Sequence, residues 1–388
     1  MPTRLSRRSA IHSSLALVTP VLAGAAAIRP AQAAGTIRAY ESGNYKSADG
    51  MTLRMVERPA PVAGPGQVVM RVRATGLNAR DRSLLRGVRI YGGAGDAPSR
   101  VPFDDNAGEV LSVGPGVTRV TPGERVMCTH FPLWIDGAWD DATMSKMDFG
   151  VNVDGFCAEQ ALAPAEGLVK IPDGLSDEEA CTLPNAGLTA WNAVVVEAQP
   201  KPGETVITLG TGGVSVFCLQ WAKMLGARVG ITSSSDDKLA RMRELGADFT
   251  INYKTTPDWH TEALKHTGGA GVGVVFNTVG IGEMERSIKA CASNGRIMVI
   301  GANPVAPTGT NGQPVGLKDF PRGMIMRRLK VQGVLVGSRK MLEDAVTAAA
   351  TRGVKPVIDR VFAFDQVPEA LAYMESGGKA GKIVIKVA

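Results

Sequence analysis

Gly210-Thr211-Gly212-Gly213-Val214-Ser215 is the segment whose residue types and spacing most directly suggest chemistry. An apolar run, Glu204 to Leu209, precedes it, and Val214 to Leu225 reads as a helix. Glycines between a strand and a helix let the backbone approach a pyrophosphate, and the helix N-terminus favours the negative charge. Ser215 stands where a third glycine normally permits close helix–strand packing; serine is small enough to be tolerated. The alternative is a structural βα turn with no ligand.

The end of the next strand decides which dinucleotide fits. An acidic residue there binds a ribose 2′-hydroxyl. Here the segment runs Ile231-Thr232-Ser233-Ser234-Ser235-Asp236-Asp237-Lys238, and the expected acidic place falls at Ser233. Ser233, Ser234 and Lys238 suit a 2′-phosphate, which a carboxylate would repel, so the expected cofactor is NADP(H). Asp236 and Asp237 complicate this reading unless they open the next helix, where acidic residues are favoured.

Larger elements must position these residues. From Gly35 to about Asn185 the pattern is β-rich, with alternation in Val68–Arg73 and Glu109–Gly114 and Pro-Gly turns at residues 65–66, 115–116 and 122–123. From Ala186 to Gly337 strands alternate with helical stretches. Strands are expected at Arg228–Thr232, Phe249–Asn252, Val272–Phe276, Arg296–Ile300 and Val331–Val336, with a helix over Asp236–Leu245. This alternation implies a doubly wound parallel α/β sheet. Residues 303–319, rich in Pro and Gly, read as a loop. The expected division is 1–33 targeting segment, 34–185 first part of a β-rich domain, 186–337 nucleotide domain, and 338–388 a return to the β-rich domain.

With 388 residues, 44% apolar and 21% charged, the chain can bury a sizeable core over about two domains. Net charge is +6, but residues 1–33 hold four arginines and no acid, leaving 39 basic against 37 acidic residues beyond them. That balance gives no reason to expect a nucleic acid partner. Cys128, Cys157, Cys181, Cys218 and Cys291 form no CxxC pair and read as buried apolar residues.

Residues 1–33 read as a signal peptide. Arg4, Arg7 and Arg8 start it, an apolar stretch follows, and Ala31-Gln32-Ala33 supplies a small-x-small cleavage site. Ser6-Arg7-Arg8 partly matches a twin-arginine signal, although Ala10-Ile11 replaces the usual Phe-Leu. Such a signal predicts export of a folded, cofactor-loaded protein to the periplasm, with no membrane span once cleaved.

From about residue 36 to the end, the chain resembles the medium-chain dehydrogenase/reductase family. The resemblance rests on Gly76–Asp81, Asp105–Val110, Val120–Val126, Leu183–Trp191, the loop at Gly210 and Leu245–Asp248. It implies a GroES-like β-rich catalytic domain, a Rossmann domain, and a cofactor cleft between them. Zinc-dependent members hold catalytic zinc with Cys, His and Cys, backed by an acidic residue. The corresponding places here are Asn78, Asp104 and Asn185, backed by Asp105. Two amides and a carboxylate are a poor set for zinc, so no metal is expected.

The pattern is similar to the zinc-free quinone oxidoreductase branch. By that resemblance Asn78 would donate to a substrate carbonyl, or else cap its loop, and Asp81 would lie near the substrate or brace a turn. Asp104 and Asn185 would mainly hold local hydrogen bonds. Thr189 would face the nicotinamide carboxamide and Val214 would back the ring. Lys238 and Tyr253 would bracket the 2′-phosphate. Asn277, Val279, Gly301 and Ala302 would line the crevice at strand ends, and Lys382 would lie near the pyrophosphate. Phe131, Trp134 and Trp139 would either wall a substrate pocket or pack in the core. His130 and Tyr91 are conceivable proton donors.

The implied activity is NADPH-dependent, metal-independent hydride transfer to a quinone, enone or other activated carbonyl acceptor. Alternatives are a zinc-free NAD(P)-dependent alcohol dehydrogenase or aldehyde reductase, and a non-catalytic NADPH-binding protein. The partner is a small-molecule substrate. A homodimer is expected through the Val331–Val336 edge strand.

Overall fold

The computed structural model describes residues 35–43, 53–86, 99–144, 146–301 and 320–388. The segment 1–33 read as a signal, Tyr91, Ala302 and residues 303–319, expected as a loop, lie outside the described residues.

Two main sheets form the body. In the first, β3 (Gln67–Leu77) is the central strand. It pairs antiparallel with β4 (Ala107–Val113) and β6 (Gln160–Pro164), and β4 leads through β5 (Arg125–Cys128) to β7 (Leu168–Lys170). On its other side β3 pairs antiparallel with β15 (Lys382–Lys386), itself parallel to β14 (Ile358–Ala363). The last strands of the chain therefore complete the sheet begun by the first. A separate antiparallel pair, β1 (Thr36–Ser42) with β2 (Leu53–Pro59), flanks it.

The second sheet is parallel throughout, in the order β10 (Phe249–Asn252), β9 (Arg228–Ser233), β8 (Thr205–Thr208), β11 (Val272–Asn277), β12 (Cys291–Val299), β13 (Lys330–Gly333). Counted along the chain this is 3-2-1-4-5-6, the doubly wound dinucleotide-binding order. The α/β architecture, a GroES-like β-rich domain with a Rossmann domain, is as read from the sequence. Some boundaries differ: β12 begins at Cys291 rather than Arg296, and β13 stops at Gly333 instead of reaching Val336, because its partner β12 ends at Val299 and the last ladder bond is Val334 N to Val299 O (2.9 Å).

One core runs through both sheets. Ala74, Ala107 and Met127 of the first share it with Val206, Val274 and Phe276 of the second. Its centre is Trp221, fully buried on helix Gly213–Met224, with Phe217 stacked at 6.1 Å and Trp191 edge-on at 5.1 Å. Emptying a site of this kind costs about 3–5 kcal/mol. Trp191 belongs to a continuous helical run, 183–198, whose ends wind wide. Gly187 N bonds Thr182 O (3.2 Å) and Gln199 N bonds Val194 O (2.8 Å), each five residues back. Helix Arg339–Arg352 joins this core through Leu342, Ala345 and Ala349 before the chain returns to β14.

Candidate active site

The register of β15 on β3 builds the site. Ile383 pairs with Leu77, so the next step outward sets Lys382 beside Asn78. Lys382 is buried, and its ammonium donates to Leu77 O (2.7 Å), Asn78 Oδ1 (2.7 Å) and Asp105 Oδ2 (2.6 Å). Asp105 fits because Gly76 opposite has no side chain; a Cβ there would come within 2.6 Å of Asp105 Oδ2. Thr75 Oγ1 holds the backbone of Asp105 (2.6 Å).

Asp104 is the hub of the cluster. Asn78 Nδ2 donates to its Oδ1 (2.9 Å), and Asn185 Nδ2 and His130 Nδ1 both reach its Oδ2. Arg80 Nη1 lies 3.7 Å from the same oxygen and 2.7 Å from His130 Nε2. A guanidinium only donates, so Nε2 accepts and the imidazole proton sits on Nδ1, facing Asp104. Arg80 also donates to Asp148 Oδ1 (2.7 Å) and Phe149 O (3.2 Å). Phe103, just before Asp104, holds a left-handed φ of 71° although it is not glycine. Phe156 N on its carbonyl (2.9 Å) fixes that conformation, which costs roughly 1–3 kcal/mol.

Burial opposes charge on Asp104, but His130, Arg80 and the Asn185 amide hold its carboxyl well below the usual carboxylate range. Burial pushes Asp105 up to about 6 despite the Lys382 ammonium beside it. Asp81, fully enclosed, is raised well above its ordinary value by burial and then by the charge of Asp104. Its Oδ2 accepts Asn78 N (2.6 Å), so Asp81 braces the turn into helix Ala79–Leu85.

Zinc does not fit this donor set. Asn78 and Asn185 offer neutral amides, and the one imidazole is engaged at both nitrogens. The carboxylates face an ammonium and a guanidinium, which would oppose a divalent cation. Among the described residues no cluster of His, Cys, Asp and Glu is arranged to hold a metal.

A dinucleotide does fit the adjoining loop. Gly210 takes φ 78°, and a Cβ on Gly210 or Gly212 would meet nothing within 4 Å, leaving open space before the helix that starts at Gly213. The first N–H groups of that helix have no acceptor within it. Gly213 is required for another reason: its Cβ would sit 2.6 Å from Lys382 Cδ. Ser215 is accommodated because its hydroxyl donates back to Leu209 O (2.7 Å). Gly381 N bonds Thr211 O (3.0 Å), stitching the loop to the approach to β15.

At the end of β9, Ser233 Oγ lies 3.3 Å from Thr211 Oγ1, and Lys238 Nζ bonds Ser234 Oγ (3.1 Å) and Gly377 O (2.9 Å). Asp236 and Asp237 open helix Asp236–Glu244, capped by Ser235. Tyr253 N bonds Ser233 O (3.0 Å). Thr189 lies buried four residues beyond Asn185, and Val214 is in the first turn of helix Gly213–Met224.

Several side chains sit differently from their expected roles. Lys382 has its stem beside the nucleotide loop, but its three donors are spent on Leu77, Asn78 and Asp105, away from any pyrophosphate. Asn277 uses its side chain within its own turn, donating to Gly280 O (3.0 Å) and accepting from Val279 N (3.1 Å) and Gly280 N (2.8 Å). It shapes the crevice rather than projecting into it. Gly301 is where only glycine fits, since a Cβ would lie 2.4 Å from Thr278 O. Phe131 and Trp134 are core residues, with Trp139 packed against both at 4.8 and 5.1 Å. His130 is enclosed. All five cysteines are buried and free.

Sequence reasoning missed Arg80 and Asp148, whose partnership spans 68 positions. It also missed Lys379, in the segment that leads into β15. Burial, then the charges of Lys382 and Arg82, lower its ammonium to about 8. The repeated Gly-Lys of Gly378-Lys379-Ala380-Gly381-Lys382 was the available signal.

A β-rich domain and a doubly wound sheet meeting at a nucleotide loop define a nicotinamide-dependent oxidoreductase architecture. Comparison with known proteins agrees. Residues 64–173 match the alcohol dehydrogenase GroES-like domain and residues 213–351 the zinc-binding dehydrogenase family. The chain belongs to the medium-chain dehydrogenase/reductase superfamily, among its alcohol dehydrogenase-like oxidoreductases. It is 40% identical over 326 residues to a zinc-type alcohol dehydrogenase-like protein of Schizosaccharomyces pombe, covering 83% of this chain and 91% of that one. It is similar in structure to an NAD-dependent alcohol dehydrogenase, with 31% identity and a TM-score of 0.78 over 90% of this chain and 100% of the other. A cobalt- and zinc-bound thermostable alcohol dehydrogenase from Pyrobaculum aerophilum matches at 26% identity and a TM-score of 0.75, over 91% of this chain and 100% of that one.

Proposed function

We propose that this protein is a metal-independent, NADPH-dependent reductase acting on a quinone, an enone or another activated carbonyl acceptor. The observation that carries the reading is the hydrogen-bonded cluster at the place where, by the family resemblance, zinc-dependent members hold their metal: Lys382, itself paired with Asp105, and Asp104 fix the Asn78 amide there. The bound cofactor supplies the hydride. Asn78 orients the acceptor oxygen and stabilises the charge that develops on it. Thr189 and Val214 align the nicotinamide end, the loop 210–213 holds the pyrophosphate, and Ser233, Ser234, Lys238 and Tyr253 surround the 2′-phosphate. Val279 and Gly301 line the crevice.

The test is NADPH oxidation by the purified protein against quinones, enones and aldehydes, with NADH in parallel. Turnover of quinones or enones with NADPH supports the reading. Asn78→Ala then lowers kcat roughly 100-fold, the usual cost of one oxyanion donor. The second reading, a zinc-free alcohol dehydrogenase or aldehyde reductase, is favoured by the 31% identity to an NAD-dependent alcohol dehydrogenase. Turnover of aldehydes alone, or equal use of NADH, would select it.

We further propose a homodimer through β13. It is one edge of the parallel sheet, and Ile325 and Met326 on the preceding helix are 72% and 73% exposed. Sedimentation at monomer mass would reject this. Export to the periplasm by residues 1–33 is proposed from their sequence; N-terminal sequencing of native protein should then begin at Ala34. Among the described residues no helix is long and apolar enough to cross a membrane.

A further inference from the structure

The Asp104 carboxylate holds two amides side by side. Asn78 Nδ2 is on Oδ1 at 2.9 Å and Asn185 Nδ2 is on Oδ2. The orientation of Asn78 is forced, because Lys382 Nζ can only donate and therefore takes Oδ1, leaving Nδ2 toward the carboxylate. Asn185 is fixed likewise by Asp104 and by its own backbone N–H on Asp105 Oδ1 (3.2 Å). Each NH2 group has two protons and spends one on Asp104.

Burial separates the roles. Asp104 and Asp105 are 0% exposed and Lys382 is 2%, whereas Asn78 and Asn185 retain 7% and 8%. The charged members are closed off, and the accessible surface this cluster retains lies on the two amide-bearing residues. Thr189, one helical turn beyond Asn185, is likewise buried.

We propose that Asn185 is a second substrate-binding donor, and that Asn78 and Asn185 together form a two-amide clamp for a single carbonyl oxygen. This deepens the function proposed above and rests on it. When hydride reaches the acceptor carbon, the electron pair of its C=O bond, or of the conjugated system, moves to that oxygen. The second N–H of each amide stabilises the resulting charge until a solvent proton neutralises it. Donors already locked in place stabilise such charge without reorganising. Arg80 and Lys382 beside the carboxylates offset their negative charge. The ligand class is a carbonyl whose oxygen accepts two hydrogen bonds, as in quinones and enones.

The experiment binds 4-(dimethylamino)cinnamaldehyde to the protein saturated with NADP+, which has no hydride to give. The absorption band of this push–pull enal moves to the red as its carbonyl oxygen is hydrogen-bonded. Asn185→Ser is the informative variant. Its hydroxyl has one proton where the amide has two, so it cannot donate to Asp104 and to a bound carbonyl at once. Asn185→Ala is run beside it, with NADPH affinity and thermal unfolding as controls on folding. The expected result is a red shift in the native protein, reduced in Asn185→Ser and in Asn78→Ser and abolished in the double variant. In turnover Asn185→Ser should lower kcat roughly 100-fold with NADPH affinity unchanged. A native protein that leaves the band unmoved, or an Asn185→Ser protein with native shift and native kcat, overturns the clamp. If Asn78→Ser alone abolishes the shift, the single-donor reading stands and the clamp falls. If the band shifts through both amides while no acceptor is reduced, the clamp stands and the proposed activity falls.

Discussion

Lys382 donates to Asn78 Oδ1 at 2.7 Å across the seam between β15 and β3, and that contact dictates which way the amide faces. The same ammonium neutralises Asp105, so the ion pair and the amide orientation stand or fall together. Replacing Lys382 by Met leaves a buried carboxylate without its partner. Chemical denaturation should show a loss of about 3–5 kcal/mol. Adding Asp105→Asn should return a substantial part of it. No recovery would mean that the lysine stem packed beside Gly213, not its charge, is what the fold needs.

The donor set around Asp104 predicts that metal plays no part. Elemental analysis should find zinc well below one per chain, and prolonged treatment with a chelator should leave NADPH turnover unchanged. Stoichiometric zinc together with loss of activity on chelation would contradict the assignment.

Ser233 ends β9 beside Thr211, and in the proposed NADPH complex a carboxylate there would face the 2′-phosphate. Ser233→Asp should weaken NADPH binding by roughly 100-fold, about 2.7 kcal/mol, through like-charge repulsion, with NADH affinity equal or improved. Fluorescence titration of both cofactors measures this. Unchanged discrimination would place the 2′-phosphate elsewhere.

Asp81 carries a raised carboxyl value because it is buried and near Asp104. The folded chain therefore keeps this proton to higher pH than the unfolded chain does. The associated stability is complete below the ordinary carboxyl value of 3.8 and is lost as pH rises through the raised one. Asp81→Asn keeps an acceptor for Asn78 N without the charge. It should flatten the decline of stability above pH 3.8 and be neutral or stabilising at pH 7. Retained turnover in that variant would make Asp81 a brace for the turn; loss of turnover with intact stability would return it to the catalytic group.

What the sequence revealed was mostly local. The loop at Gly210 could be read because its glycines, the strand before it and the helix after it are adjacent in the chain. The parallel sheet followed from successive apolar runs. The charged cluster of the site was less legible. Arg80, Asp104, His130 and Asp148 meet only through the folding of β3, β4 and the loops beyond β5. Nothing in their spacing marks a cluster. Lys382 was misleading for a related reason: its neighbours in sequence are those of a phosphate ligand, and only the register of β15 against β3 turns its ammonium inward. Asn277 reads as a crevice residue from its strand-end position, yet its side chain is used up by the two residues that follow its immediate neighbour.

The interlocking of Asn78, Asp104, Asn185 and Lys382 also bears on how such a site changes over evolutionary time. Introducing a metal-binding side chain at Asn78 alone would deprive Lys382 of an acceptor and Asp104 of a donor. Doing so at Asn185 alone would remove another donor from Asp104. Each buried group stranded this way costs about 1–3 kcal/mol, while a single new ligand brings no metal to offset it. A first single replacement toward a metal-binding set is therefore unfavourable, and the hydrogen-bonded cluster resists change one residue at a time.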